Sequence, residues 1–263
     1  MFDYLRNKYN RSPVLFSEDD LDKDYLYVKY TEAPYLLLPK TLDAYKALHR
    51  KKFWYNLRRS EKLFQSEFSK LSFEVVKDGK ELDFFLEQVF ELFNERWVDE
   101  YTSATWKCKK GFYKYKKAMI ELSSSGNAFL AVLYDKNRQL LSYGYCLEQD
   151  NTIFFYQHTT TVDSKYRKYS LGKVLIHHLL KYAVNNKYDK FDFMAGDSSY
   201  KYEWAKDTKI IYRSIGRKKI SNYLKMYLVK MRYFLQFNYC SRRTLKLIWK
   251  YIERIFEKFN FSH

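Results

Sequence analysis

The sequence predicts an α/β protein, a mixed and mostly antiparallel sheet flanked by helices. Two observations carry that expectation. The middle of the chain reads strand, helix, helix, three antiparallel strands, helix, strand, helix, so a run of hairpins is broken by one crossover helix. Glycine (7) and proline (3) are scarce among 263 residues, which disfavours a loop-rich sandwich and favours long regular elements. A hydrophobic share of 46%, heavy in Tyr (27) and Phe (21), is enough for a sizeable core.

Each element has a local reason. Residues 1 to about 35 read as irregular, with an edge strand at Tyr25–Tyr30 and a short apolar strand between Pro34 and Pro39. Thr41 can cap a helix that runs through Tyr45, Leu48, Phe53 and Leu57, in one or two pieces. Leu71–Val76 alternates as a strand, and Asp78-Gly79 signals a turn. Residues 81–98 form a helix whose apolar face is Leu82, Phe85, Leu86, Val89, Phe90 and Phe93. Residues 101–110 read as loop and Phe112–Ser123 as helix. Asn127–Tyr134 and Gln139–Leu147 then form a hairpin around Asp135.

The stretch from Asn151 to Ala205 organises the rest. Asn151–His158 is an aromatic strand, Thr159–Ser170 a polar basic loop, and Leu171 opens an amphipathic helix with Leu171, Val174, Leu175, His178, Leu179, Tyr182 and Ala183 on one face. Lys190–Met194 is a second strand, followed by an acidic turn and a helix start near Tyr200. A strand that feeds a helix N-terminus through a basic loop with a glycine suits a pyrophosphate, because free N–H groups and the positive helix end face the loop. Residues 210–215 are a final strand, and amphipathic helices are expected over 220–239 and 242–259, with Ser241 as an N-cap between them. The expected division is an N-terminal extension or small partial domain over 1–70, a main domain over 71–215 and a basic helical tail over 216–263.

The net charge of +17 is uneven: residues 209–263 hold 14 Lys and Arg against 2 acidic residues. Such a tail suits a polyanion partner, whether nucleic acid, an anionic membrane surface or cofactor phosphates, and equally a solvated helix face. Cys108, Cys146 and Cys240 lie far apart with no metal or disulfide spacing, so no metal is expected. No apolar run reaches the roughly 20 residues needed to span a bilayer, and the N-terminus lacks an apolar targeting core. A soluble, cytoplasmic protein is the expectation.

Four stretches resemble a known family. They are Asn56-Leu-Arg-Arg59, Glu95-Arg-Trp97, Tyr166-Arg-Lys-Tyr-Ser-Leu-Gly172, and Phe191-Asp-Phe-Met-Ala-Gly-Asp197 with Tyr200-Lys201. Together with the element order, over residues 40 to 205, they look like the Gcn5-related N-acetyltransferase (GNAT) fold. Within it they are similar to the cellulose-biosynthesis or BioF2-like acetyltransferases, relatives of the Fem peptidyltransferases. The loop departs from the ordinary GNAT pattern, keeping only Arg167 and Gly172 at a longer spacing.

The resemblance implies an acyl-CoA donor, acetyl-CoA or longer, lying between strands 151–158 and 190–194, with Arg167, Lys168, Tyr169, Ser170, Leu171, Gly172 and Lys173 around its pyrophosphate. It implies a nucleotide-linked amino sugar of surface polysaccharide as acceptor, reached by direct attack in a ternary complex. Candidate catalytic residues are His158 as base, Asp192 and Asp197 as base or amine-orienting groups, and Tyr200 as proton donor to the departing thiolate. Arg96 and Trp97 would wall the acceptor pocket, and Lys201 would bind an acceptor phosphate. Two other readings stand beside this one: a Fem-like transferase fed by aminoacyl-tRNA, and a non-catalytic module for membrane surfaces or nucleic acid.

Overall fold

The computed structural model describes residues 15–16, 21–97 and 109–217, with isolated positions between 222 and 230. The chain divides into two compact units, Met1–Asn10 with Ala33–Thr208, and Arg11–Glu32 with Lys209–His263.

The first unit is a mixed sheet covered on both faces. Its strands are β2 (Tyr25–Leu37, from Ala33 on), β3 (Leu71–Val76), β4 (Ala128–Asp135), β5 (Leu140–Gln149), β6 (Thr152–Thr160) and β7 (Lys190–Asp192), in the order β2-β7-β6-β5-β4-β3. All neighbours run antiparallel except β6 and β7. That single parallel step is the crossover the sequence predicts.

β4 shows why both faces are covered. Phe129, Ala131 and Leu133 enter one core and Ala128, Leu130 and Val132 the other, so alternate residues of one apolar run serve opposite sides. The second core is closed by α3 (Gly79–Trp97) and α4 (Lys109–Ser124), through Phe85, Leu86, Val89 and Met119. The first is closed by α5 (Leu171–Asn185), with α1 (Leu42–Ala47) and α2 (Lys51–Phe68) packed on it. Thr41 caps α1 by accepting from the Ala44 amide at 3.2 Å.

α5 is buried more widely than one apolar face requires. Ile176, Leu180 and Val184 join the expected residues in the core. The reason is tertiary: α1 and α2 lie over α5, which therefore works as an interior helix.

Three expectations need correction. The two short strands around Pro34 are one strand, β2; Pro34 cannot donate, but its carbonyl accepts from the Phe193 amide at 3.0 Å. Residues 159–160 belong to β6, and Ser164–Tyr169 is a 3-10 helix capped by Asp163, whose side chain accepts from the Lys165 amide at 3.0 Å. Ser170 stands at the α5 N-cap position, yet its backbone is left-handed (φ 50°, ψ 43°) and its hydroxyl makes no capping bond. Its carbonyl instead accepts from the Lys173 and Val174 amides.

In the second unit, β1 (Leu15–Phe16) pairs antiparallel with β8 (Asp207–Arg217) at Leu15↔Arg213 and Phe16↔Tyr212. The loop over 101–110 lies outside the described residues up to 108, and the tail helices and Ser241 lie outside them apart from positions between 222 and 230.

Candidate functional site

β6 has two halves. Thr152, Ile153 and Phe154 are laddered to Lys190, Phe191 and Asp192 of β7. Beyond Phe154, β6 continues to Thr160 on β5 alone, and no ladder to β7 exists among the described residues. β7 ends at Asp192, and the next residue, Phe193, still donates to the Pro34 carbonyl of β2 on the far side from β6. The β5–β6 register also slips: Tyr145 opposes Gln157 and Cys146 opposes Phe155, leaving Tyr156 as an extra residue. Such a bulge bends its strand and leaves backbone groups outside the ladder. The result is a slot with an open strand edge on one side.

Aromatic packing sets the floor of that slot. His158 stacks on Phe155 with ring centres 4.6 Å apart and planes 18° apart, and meets the Tyr200 ring at 5.2 Å. Gly144, opposite His158, makes room for this. A Cβ there would stand 2.3 Å from the Phe155 ring, so no other residue fits without moving it. Burial pushes the His158 imidazole down to about 4, and the charges of Lys201 and Arg96 push the same way. The ring keeps a small exposed edge, but protein surrounds it, and it is neutral at physiological pH.

The opposite wall is the turn from Asp192 to Lys201. The Asp192 carboxylate, 1% exposed, accepts from the Met194 amide at 2.9 Å and lies 3.5 Å from the Lys190 ammonium. Met194 (φ 62°) and Gly196 (φ 121°) are both left-handed, a conformation that a non-glycine residue holds only when its surroundings impose it. Lys201 imposes it. Its ammonium, on a residue 6% exposed, donates to the carbonyls of Met194 and Ala195 at 3.0 Å each. Burial lowers the Lys201 pKa to about 8 against the opposing pull of Asp192 and Asp197. Lys201 therefore sits inside the turn with two of its donors engaged, whereas the sequence reading gave it an acceptor phosphate to bind.

The remaining candidates are placed as follows. Asp197 is exposed, and the α6 helix (Ser199–Trp204) starts from Ser198 without a side-chain cap. The Tyr200 hydroxyl is buried with no hydrogen-bond partner, and burial raises its pKa. Arg96 is exposed at the end of α3, with its charge felt at His158. The Trp97 side chain lies outside the described residues. Cys146 is fully buried and its thiol is pushed up by burial, an inert setting for a nucleophile.

The basic loop is largely neutralised. Lys168 and the Tyr169 hydroxyl both bond Glu67 of α2, at 2.8 Å and 2.6 Å. Lys173 pairs with Glu203 at 2.6 Å, and Lys165 with Asp163 at 2.9 Å. Tyr169 and Leu171 are core residues, so only their backbone is available to a ligand. Arg167 is exposed. Gly172 matters for space: a Cβ there would stand 3.0 Å from the Thr160 hydroxyl, which itself lies 2.7 Å from that of Ser142. What the loop leaves to a ligand is Arg167 and the first two amides of α5, those of Leu171 and Gly172, since the Lys173 and Val174 amides donate to Ser170.

Sequence reasoning missed Gly144 and the bulge at Tyr156. A lone glycine inside the strand Gln139–Leu147 was the available signal, because such a glycine marks a close approach. Among the described residues, no group of His, Cys, Asp and Glu is arranged to hold a metal, and no helix is long and apolar enough to cross a membrane.

A model of the acetyltransferase (GNAT) domain family matches residues 51–202. No curated protein sequence matches the chain. Among solved structures, the chain is similar to L-PGS from Bacillus licheniformis, with 16% identity, a TM-score of 0.53, and coverage of 87% of this chain and 74% of that one. It is similar to the C-terminal domain of a putative lysylphosphatidylglycerol synthetase from Agrobacterium fabrum, with 12% identity, a TM-score of 0.56, and coverage of 82% and 71%. A conserved protein of unknown function from Bacteroides thetaiotaomicron shares 10% identity at a TM-score of 0.54, with coverage of 76% and 65%.

Proposed function

Since the chain belongs to the GNAT acetyltransferase family, we propose that it is an N-acyltransferase taking its acyl group from acyl-CoA and delivering it to the amine of a nucleotide-linked amino sugar. The observation that carries this reading is the parting of β6 from β7 beyond Phe154, with His158, Tyr200 and the Asp192–Lys201 turn around the opening. The free edge of β6 offers backbone groups to an extended amide-bearing chain, as pantetheine is. An amide released from the ladder near Tyr156 can polarise the thioester carbonyl. The amine attacks that carbon, the N–C bond forms, and the neutral His158 imidazole takes the proton that the nitrogen sheds. The C–S bond then breaks, and Tyr200, whose hydroxyl has no other partner, protonates the thiolate. Asp192 and Lys201 fix the turn that forms the acceptor's wall, and Asp197 and Arg96 lie at its exposed rim. Arg167 and the α5 amides of Leu171 and Gly172 face the pyrophosphate, with the Lys173 side chain beside them. In this role Lys168 and Lys173 exchange Glu67 and Glu203 for phosphate oxygens. The setting is cytoplasmic, where acyl-CoA is made.

Calorimetry with acetyl-CoA and longer acyl-CoAs, followed by turnover on a panel of nucleotide amino sugars, tests the reading. A CoA species at about 100 times its Kd should stabilise the fold by roughly 2.7 kcal/mol, a thermal shift of a few degrees. Lys201→Met should reduce turnover roughly 100-fold, because a wall displaced by about 1 Å loses that much, while CoA still binds. Absence of binding by every CoA species overturns the proposal.

A second reading, aminoacyl transfer from charged tRNA, is favoured by the excess of 14 basic over 2 acidic residues in 209–263. The fold likeness to a putative lysylphosphatidylglycerol synthetase domain is compatible with it. It requires tRNA affinity that falls steeply with salt.

A further inference from the structure

α2 carries a basic stripe that the transfer chemistry above does not use. Trp54, Leu57 and Phe64 bury one side of the helix. On the other side, Tyr55, Arg58, Arg59, Lys62, Leu63 and Ser66 line an open groove of about 520 Å³, within the usual size of ligand sites. These positions recur at i, i+3, i+4, i+7, i+8 and i+11, so they form one stripe.

The charges of this stripe are not neutralised locally. Lys40, Lys116, Lys168 and Lys173 each pair with an acid. Arg58, Arg59 and Lys62 form no ion pair among the described residues. Acids are present on the same helix but are used elsewhere: Glu61 bonds His178 of α5 at 2.6 Å, and Glu67 bonds Lys168 and Tyr169. Arg58 and Lys62 are like charges four residues apart, an arrangement that destabilises a helix unless an anion joins them.

We infer that this groove holds the nucleoside diphosphate of the acceptor, an assignment that rests on the nucleotide-linked acceptor proposed above. Arg58 and Lys62, one turn apart on the same face, can bracket two linked phosphates, and the Arg59 fork reaches in from the neighbouring row. Tyr55, 59% exposed and one turn before Arg58, gives a base a face to stack on. Leu63 and the Ser66 hydroxyl complete the groove. The stripe is about 16 Å long at 1.5 Å per residue, the reach of one nucleotide diphosphate and short for a nucleic-acid track. Its one aliphatic residue, Leu63, is half-buried, which does not suit insertion into a bilayer.

The test titrates the full chain with UDP, and with inorganic pyrophosphate as competitor, at 50 and 200 mM salt. Arg58→Gln/Arg59→Gln should weaken UDP binding tenfold or more, and Tyr55→Ala should weaken UDP but not pyrophosphate. CoA binding and melting temperature serve as controls for folding. UDP binding through these residues without any CoA binding keeps the site and removes the CoA-dependent reading. No UDP binding, or UDP binding unchanged in the double variant, overturns the site. So does an RNA oligonucleotide or a phosphatidylglycerol vesicle that binds through Arg58 and Arg59 where UDP does not.

Discussion

The two halves of β6 differ in what holds them. Thr152–Phe154 is laddered on both edges and supplies Ile153, fully buried, to the core. Phe155–Thr160 has a ladder on one edge only, contains the bulge, and presents His158 to the slot. One nine-residue strand is thus framework at one end and working surface at the other. The difference comes from its neighbour: β7 stops after three residues, and the second half of β6 is left with an edge.

Substitutions can break the comparison in order of size. In the framework half, Ile153→Ala should destabilise the protein by about 2–5 kcal/mol through lost burial and the cavity left behind. Turnover per folded molecule should stay near wild type, measured by urea unfolding and a kcat determination on the same sample. A large loss of kcat with intact folding would mean the halves are not separable. In the working half, Gly144→Ala forces a methyl group against the Phe155 ring, an overpacking that should destabilise by about 1–3 kcal/mol. Here kcat should fall along with stability, because the ring that moves is the one His158 stacks on.

Acid sharpens the comparison with a smaller effect. The His158 pKa is depressed from 6.5 to about 4, so between those values the unfolded chain binds the extra proton and stability falls as pH falls. His49 and His177, also depressed to about 4 chiefly by burial, act in the same direction. At pH 6 the His158 share is roughly 1 kcal/mol at most, less a discount for its partly exposed ring. The measurement is the urea midpoint against pH for wild type and His158→Gln. Parallel curves between pH 7 and 5 would show that His158 is not buried as described.

The framework was more legible in the sequence than the working surface. Leu71–Val76 alternates, and it forms the strand with those bounds. The crossover helix and the strands around it follow from apolar periodicity alone. Periodicity does not show which helix covers which, so the second buried side of α5 was not legible before α2 was placed on it. The site was legible in part. His158 meets the Tyr200 ring, and Asp192 and Lys201 both bond the turn at Met194, but their states depend on groups remote in sequence. Lys201 reads as a phosphate ligand, because nothing local says that two carbonyls of a left-handed turn will enclose it. The basic loop reads as a cationic cradle, because Glu67 and Glu203 approach it from other helices. Tyr156 looks like any strand residue, and a register slip belongs to a pair of strands.

The brevity of β7 also bears on the order of assembly. Neither of its neighbours is a hairpin partner: Tyr35 of β2 comes from near the start of the chain, and Phe154 of β6 is reached only across the loop and α5. Three residues with two distant partners make a poor nucleus, so β7 should dock after the β4–β6 meander and its helices have condensed, an order that phi-values of β7 against β5 would check. On a growing chain the opening beside His158 is therefore bounded on one side until Lys201 has been synthesised and closes the turn. A ligand that requires both walls should then bind only the finished fold, and partly unfolded molecules should be silent in an assay of that ligand.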